Sequence, residues 1–397
     1  MGDKKFWKGV VVGILAVLCV FAAGTGVRKA VTTLAGLTNH ISGENPQDKL
    51  ERIDRIIDTY YLYEDEIDED ALTEGMYAGY VEALGDPYSV YYTEEETKEL
   101  LEGTSGEYSG IGAVLSQDYA TNIITIVNVY EDSPAKEAGL LEGDILYQVD
   151  DREITDESLS EVVTWIKGDE GTEVILHVLR GNEQLELRAV RRKIEAHTVA
   201  YEMKDNQIGY IAVSEFDSVT YDQFKEALDT LEMQGMEGLV IDLRSNPGGN
   251  LDTVVEMLKL ILPKGTIVSI RDKQGKEDVY ACDGKNEFTK PLAVLVNQYS
   301  ASASEIFAGA VQDYGLGKLV GMTTYGKGIV QQLVPLGDGT YLKLTVAEYF
   351  TPGGRNIHGV GINPDIEIEY EPDEENPEAD NQLDKALEII NEEIQER

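Results

Sequence analysis

Three short runs of almost purely apolar residues, Ile208–Val213, Leu239–Leu243 and Leu292–Val296, do most to limit what this chain can fold into. A run of this length with hardly a polar member reads as a strand buried on both faces. Between and after the runs the apolar spacing becomes helical, over Tyr221–Leu231, Leu251–Leu262 and Ala303–Asp313. Strands alternating with helices predict a layered α/β domain from about His197 to Tyr370.

The flanking regions follow other rules. Residues 30 to about 100 read as helical: Leu50, Ile53, Ile56 and Ile57 share one face, and a second helix near Ala71–Leu84 stops at Gly85-Asp86-Pro87. This region is expected to be a packing arm without a catalytic role. From about Thr104 to Lys193 the pattern is that of short strands between glycine turns, namely Ala113–Leu115, Ile123–Val129, Ile145–Val149, Val174–Leu179 and Leu185–Ala189. One helix, Leu159–Ile166, interrupts them. After Tyr370 the chain is strongly acidic, yet Leu383, Leu387, Ile390 and Ile394 predict an amphipathic helix. The divisions are 1–29, 30–103, 104–193, 194–370 and 371–397.

A formal net charge of −41 argues against nucleic acid as a partner, because a polyanion would be repelled. Cys19 and Cys282 are the only cysteines, and the four histidines are scattered, so no metal or organic cofactor is expected. Lys4, Lys5 and Lys8 precede an uncharged run from Gly9 to Val27. That run approaches the roughly 20 residues that span a bilayer as a helix. It predicts a signal anchor, with the remaining domains on the extracytoplasmic side of the cell membrane.

Three segments carry possible chemistry. In Asp242-Leu243-Arg244-Ser245-Asn246-Pro247-Gly248-Gly249 a strand runs into a double-glycine turn. Such a turn can expose the N–H groups of an oxyanion hole, although an ordinary strand–helix turn looks the same. In Asn297-Gln298-Tyr299-Ser300-Ala301-Ser302-Ala303-Ser304-Glu305 a strand gives way to a helix rich in small residues. A serine there usually caps the helix, but the helix N-terminus also favours the anion that nucleophilic attack creates. No Gly-x-Ser-x-Gly elbow is present. The third segment is Gly326-Lys327-Gly328-Ile329-Val330-Gln331. It is not a phosphate-binding loop, since Gly328 stands where Ser or Thr should bind magnesium. Its lysine is either an exposed turn residue or, if buried, an amine neutral enough to take a serine proton.

In this order the three segments resemble the C-terminal processing peptidases, or tail-specific proteases, a Ser–Lys peptidase family (S41). The resemblance extends from the apolar run to about Tyr370. It implies a ClpP/crotonase-like α/β protease core with an inserted, β-rich PDZ domain. It further implies Ser302 as nucleophile, Lys327 as general base, Gln331 to orient that base, and the N–H groups of Gly248 and Ala303 as oxyanion donors. Gly110-Ile111-Gly112-Ala113 looks like the PDZ loop that binds a terminal carboxylate, supported by Asp132-Ser133-Pro134-Ala135 and Gly139-Leu140-Leu141-Glu142-Gly143-Asp144-Ile145-Leu146. Expected partners are proteins with flexible, apolar C-terminal tails, and a second copy of the chain in a homodimer or larger assembly. A catalytically idle PDZ tail-binding protein is the alternative, and nucleophile, base and orienting residue are all present against it. Trypsin-like proteases with a PDZ domain place it after the protease domain and need a histidine base. Only a scheme built on His358 would resemble theirs.

Overall fold

The computed structural model describes residues 45–397 apart from 119, 373–375 and 377–378. The Gly9–Val27 run lies outside them, and among the described residues no helix is long and apolar enough to cross a membrane. The chain forms two compact units, Met1–Thr73 and Glu74–Arg397. In the first, helix α1 (Pro46–Tyr60) begins where Asn45 Oδ1 accepts the Gln47 N–H and Pro46 presets the first turn. Leu50, Ile53 and Ile56 recur at helical spacing but are 37%, 43% and 41% exposed, and α1 buries none of its residues. Helix α2 (Glu69–Glu82) follows and ends before Gly85-Asp86-Pro87, as expected.

The second unit takes in α2 from Glu74 onward and continues with strand β1 (Val90–Tyr92) and helix α3 (Glu94–Ser105), which opens with a reciprocal Thr93–Glu96 capping box. Then come β2 (Glu107–Gly110), β3 (Ala113–Gln117), β4 (Ile124–Val129), α4 (Pro134–Glu137), β5 (Ile145–Val149), β6 (Arg152–Glu153), α5 (Leu159–Ile166), β7 (Glu173–Arg180), β8 (Glu183–Val190) and β9 (Arg192–Glu195). They form an antiparallel sheet of order β3-β4-β5-β7-β8, with β6 on β5. Strand β2 pairs with β9, so the chain enters and leaves this module side by side. The two-residue period explains its interior. Val174, Leu176 and Val178 of β7 face inward and join Ile124, Ile126, Leu146, Val162 and Ile166 in a core of their own. Strand β3 is an edge, paired only with β4, and α5 packs against it.

The remaining chain folds as β10 (Val199–Lys204), β11 (Ile208–Val213), α6 (Thr220–Met233), β12 (Gly238–Asp242), α7 (Leu251–Lys259), β13 (Gly265–Asp272), β14 (Glu277–Cys282), β15 (Leu292–Val296), α8 (Ala303–Asp313), β16 (Lys318–Gly321), β17 (Ile329–Pro335), β18 (Tyr341–Phe350), β19 (Ile366–Glu367) and α9 (Asn381–Gln395). The central sheet has the order β10-β11-β12-β15-β16-β19 and is parallel from β11 onward. Every residue of β12 and β15 is buried because both sheet faces are covered. On one face Leu239, Ile241, Leu292 and Val294 meet Phe224, Val254 and Phe307 of α6, α7 and α8. On the other, Val240, Ala293 and Leu295 meet Ala386, Ile389 and Ile390, so the acidic tail's helix α9 covers the second face. A second sheet, of order β1-β18-β13-β14 with β17 on β18, lies beside this layer.

Candidate active site

Strands β12 and β15 are parallel neighbours, so the segments leaving their C-terminal ends lie side by side. Ser300 Oγ donates to the Leu243 carbonyl (2.8 Å), the Ser245 N–H to Asn297 Oδ1 (2.9 Å) and the Ala301 N–H to the Asn246 carbonyl (3.0 Å). Strand β16 delivers the third segment, and the Tyr325 N–H donates to the Ser300 carbonyl (3.0 Å). The three motifs separated in sequence therefore meet at one end of the sheet.

Among the three competing serines the surroundings are unequal. Ser300 and Ser304 are fully buried, and Ser304 Oγ donates to the Asn246 carbonyl (3.0 Å). Ser302 is partly exposed at the N-terminus of α8, with φ 56° and ψ −112°. A non-glycine residue at positive φ is strained and persists only where its surroundings hold it. The turn has the sharp strand-to-helix form of a nucleophile elbow, built here with alanines on either side of the serine.

What holds this turn is Glu305, a residue that sequence reasoning left without a role. Its carboxylate is wholly buried and accepts four hydrogen bonds. Oε2 takes the N–H groups of Ser302 (2.9 Å) and Lys327 (2.8 Å), and Oε1 takes the Gly326 N–H (2.7 Å) and Thr324 Oγ1 (2.6 Å). One side chain thus fixes the serine segment against the lysine segment. Burial holds the Glu305 pKa above the ordinary glutamate value, and the hydrogen bonds from Thr324, Gly326, Lys327 and Ser302 oppose that shift. Only the ionised, acceptor-only form satisfies four donors at once, so Glu305 is a carboxylate here. The capping-box spacing from Ser302 was its one visible signal.

Lys327 is half-buried, and its amine lies 4.9 Å from the centroid of the Tyr88 ring. Burial holds its pKa below the ordinary lysine value, helped by the positive charge of Lys343, while Glu305 and Asp86 act in the opposite sense. Replacing Lys343 with Gln removes a like charge, so Lys327 should keep its proton to higher pH. In any reaction that needs the neutral amine, the rising limb of kcat/KM against pH is expected to move up by about half a unit. A shift downward, or none, would show that the two amines do not interact.

Two of the expected site residues are engaged elsewhere in this structure. Gln331 donates to Thr345 Oγ1 (3.4 Å) and makes no hydrogen bond to Lys327, because β17 turns it toward its partner strand β18. The Gly248 N–H is not open toward an oxyanion but donates to Asn246 Oδ1 (2.8 Å), since a buried N–H takes whatever acceptor is within reach. Gly248 is nevertheless against the serine. A Cβ there would stand 2.7 Å from the Ala301 carbonyl oxygen, 2.8 Å from Ser302 Cβ and 3.0 Å from the Ala303 nitrogen, at φ 106°. Gly248→Ala is thus expected to lower kcat about a hundredfold, in the range of a lost oxyanion donor. Steady-state kinetics on the folded variant checks this. Ala303 is the first residue of α8, and its N–H belongs to the turn that has no intrahelical acceptor.

Gly110, Ile111, Gly112 and Ala113 lie in the other module and share no hydrogen bond with the Ser302 cluster among the described residues. Ile111 is buried, and its carbonyl accepts the Ala135 N–H (2.8 Å); the Gly112 carbonyl accepts the Tyr130 N–H (3.0 Å). Gly112 has φ 75° and packs against Ser133, so the turn leads directly into edge strand β3. His358 is exposed and makes no hydrogen bond from its imidazole among the described residues, which leaves the histidine scheme without geometry.

Comparison with known proteins agrees with this layout. Residues 207–368 match the family described as peptidase family S41, residues 125–180 match a PDZ domain, and residues 25–97 match the N-terminal domain of the activating protease CtpB. A "Probable CtpA-like serine protease" of Staphylococcus epidermidis is 35% identical over 373 residues, covering 92% of this chain and 74% of that one. A protein of the same description from Staphylococcus aureus strain N315 is 37% identical over 359 residues, covering 87% and 71%. The crystal structure of an S41 protease from Bacteroides fragilis superposes with a TM-score of 0.53 at 18% identity, covering 86% of this chain and 97% of that one.

Proposed function

We propose, from the premise that this chain belongs to peptidase family S41 and is a serine-type peptidase carrying a PDZ domain, that Ser302 is its nucleophile and Lys327 its general base. The observation that carries this is the Glu305 carboxylate, which binds the backbone N–H of both residues while Ser300 and Ser304 are buried and hydrogen-bonded elsewhere. In the cycle the neutral amine of Lys327 takes the proton of Ser302 Oγ as the oxygen attacks a peptide carbonyl. The Ala303 N–H, at the positive end of α8, stabilises the resulting oxyanion. Gly248 joins it once its N–H leaves Asn246. The protonated lysine then gives its proton to the departing amine. Water, deprotonated by the same lysine, hydrolyses the acyl-enzyme.

In this reading the substrates are exported proteins with flexible, apolar C-termini. Such a tail adds as a strand to the edge of β3 beside α5, its carboxylate held by the Gly110–Ala113 turn. Tail binding gates the site as well as tethering the substrate. The core is of the ClpP/crotonase-like kind, consistent with its parallel sheet covered by helices. The Gly9–Val27 run anchors the protein, with the catalytic domains extracytoplasmic, and the domain limits follow the sequence divisions. The stripe Leu50, Ile53 and Ile56 on α1, exposed among the described residues, supports assembly of two or more copies through the arm.

The test is cleavage of an unstructured protein with an apolar C-terminus, beside the same protein ending in charged residues. Products are identified by mass spectrometry, with Ser302→Ala as control. Preference for the apolar tail, lost on deleting residues 104–193, is expected. Equal cleavage of both tails by the parent, with rates unchanged by the deletion, contradicts recognition and gating.

A further inference from the structure

We infer that Tyr88, from the segment before the PDZ module, is a positioning residue for Lys327, its ring forming the wall on which the lysine side chain is held and screened from water. The inference rests on Lys327 being the general base. Tyr88 lies outside the 207–368 stretch that matches the peptidase family and inside the 25–97 match, so the catalytic centre is completed by chain from the region taken as a packing arm.

The geometry is built rather than incidental. Lys327 Nζ has no hydrogen bond or ion pair among the described residues, and the Tyr88 ring, 4.9 Å away, is the partner the structure gives it. The loop carrying Tyr88 is fastened at each step. Asp86 accepts the Tyr88 N–H (3.0 Å) and Ser89 Oγ (2.6 Å), and Ser89 Oγ accepts the Thr345 N–H (3.1 Å). Strand β1 then pairs with β18, setting Val90 opposite Lys343. Lys343 donates to Tyr92 Oη (2.7 Å), and Tyr88 Oη reaches Tyr325 Oη at 3.5 Å. An aromatic face suits this place. It excludes water, which favours the neutral amine, and its π-electrons still accommodate the ammonium formed during turnover. The groups acting on Lys327 are Lys343 from β18, Glu305 from α8 and Asp86 from the Tyr88 loop, with the Tyr88 and Tyr325 phenols alongside.

The experiment compares the full-length parent with Tyr88→Phe, Tyr88→Ala and Lys327→Ala on an unstructured protein with an apolar C-terminus, across a pH series. Tyr88→Phe keeps the ring and is expected to stay within about twofold of the parent. Tyr88→Ala is expected to lose about ten- to a hundredfold in kcat with KM little changed, as for a misplaced catalytic group. Water then reaches the amine, its pKa rises, and the rising limb of the pH profile moves to higher pH. Unchanged kcat and pH profile in Tyr88→Ala, or a change confined to KM, overturns the inference. So does a tenfold loss in Tyr88→Phe, which keeps the ring and stands as a test even if Tyr88→Ala misfolds. Activity surviving in Lys327→Ala sinks the base assignment itself, a different failure from these.

Discussion

Lys327→Met is expected to lower kcat about ten-thousand-fold, as loss of a catalytic base does in serine proteases, while the protein melts no lower than the parent. The two halves of that expectation have one cause. The lysine amine is half-buried, has no hydrogen-bond or ion-pair partner among the described residues, and rests on an aromatic ring. Desolvating a cation without a partner costs stability, so a methionine of similar length, with no charge to desolvate, removes a penalty. Groups kept for chemistry against the interest of the fold behave in this way. Calorimetry beside steady-state kinetics checks both halves. A lysine whose loss lowers the melting temperature along with the rate would be structural.

Glu305→Gln is expected to fail on both counts, and for the opposite reason. Its carboxylate faces four donors, three of them backbone N–H groups. A glutamine offers one acceptor oxygen, and its NH2 would point at donors. Two of the four donors would then face the NH2 and be left unsatisfied, at about 1–3 kcal/mol each before relaxation. The Ser302 turn, already at positive φ, would lose what holds it, and the serine and lysine segments would drift apart. Displacement of a reacting group by about an ångström costs on the order of a hundredfold, and two groups move here, so about a thousandfold loss in kcat is expected. The melting temperature should fall as well. Together the two variants separate a residue that reacts from one that holds.

Much of the layer architecture was legible because it is written in local patterns. The runs Ile208–Val213 and Leu292–Val296 are strands with those limits, and Leu159–Ile166 and Ala303–Asp313 are helices with theirs. Full burial removes polar residues, and the resulting runs are hard to mistake. The second sheet was less visible. In β18 Leu342, Leu344 and Val346 alternate with Lys343 and Thr345, but nearly every residue is half-buried, and its partner β1 is far away in sequence. The site divides in the same manner. Motif order brought Ser302, Lys327 and Gly248 to attention. The hydrogen bonds from Thr324, Gly326 and Lys327 to Glu305 and the turn of Gln331 toward Thr345 join segments apart in sequence, which no spacing records. The grip of Asn246 on the Gly248 N–H, two residues on, depends on a turn geometry that the residue types leave open. Gly85-Asp86-Pro87 read only as a helix stop, yet it delivers the ring beside Lys327.

The most direct test of the central claim is to treat the protein with a serine-reactive fluorophosphonate at several pH values and map the modified peptide by mass spectrometry. A single adduct on Ser302, forming faster as pH rises and absent from Lys327→Met, is the expected result. An adduct on Ser300 or Ser304, or one on Ser302 that forms equally fast without the lysine, would contradict a Ser302–Lys327 pair.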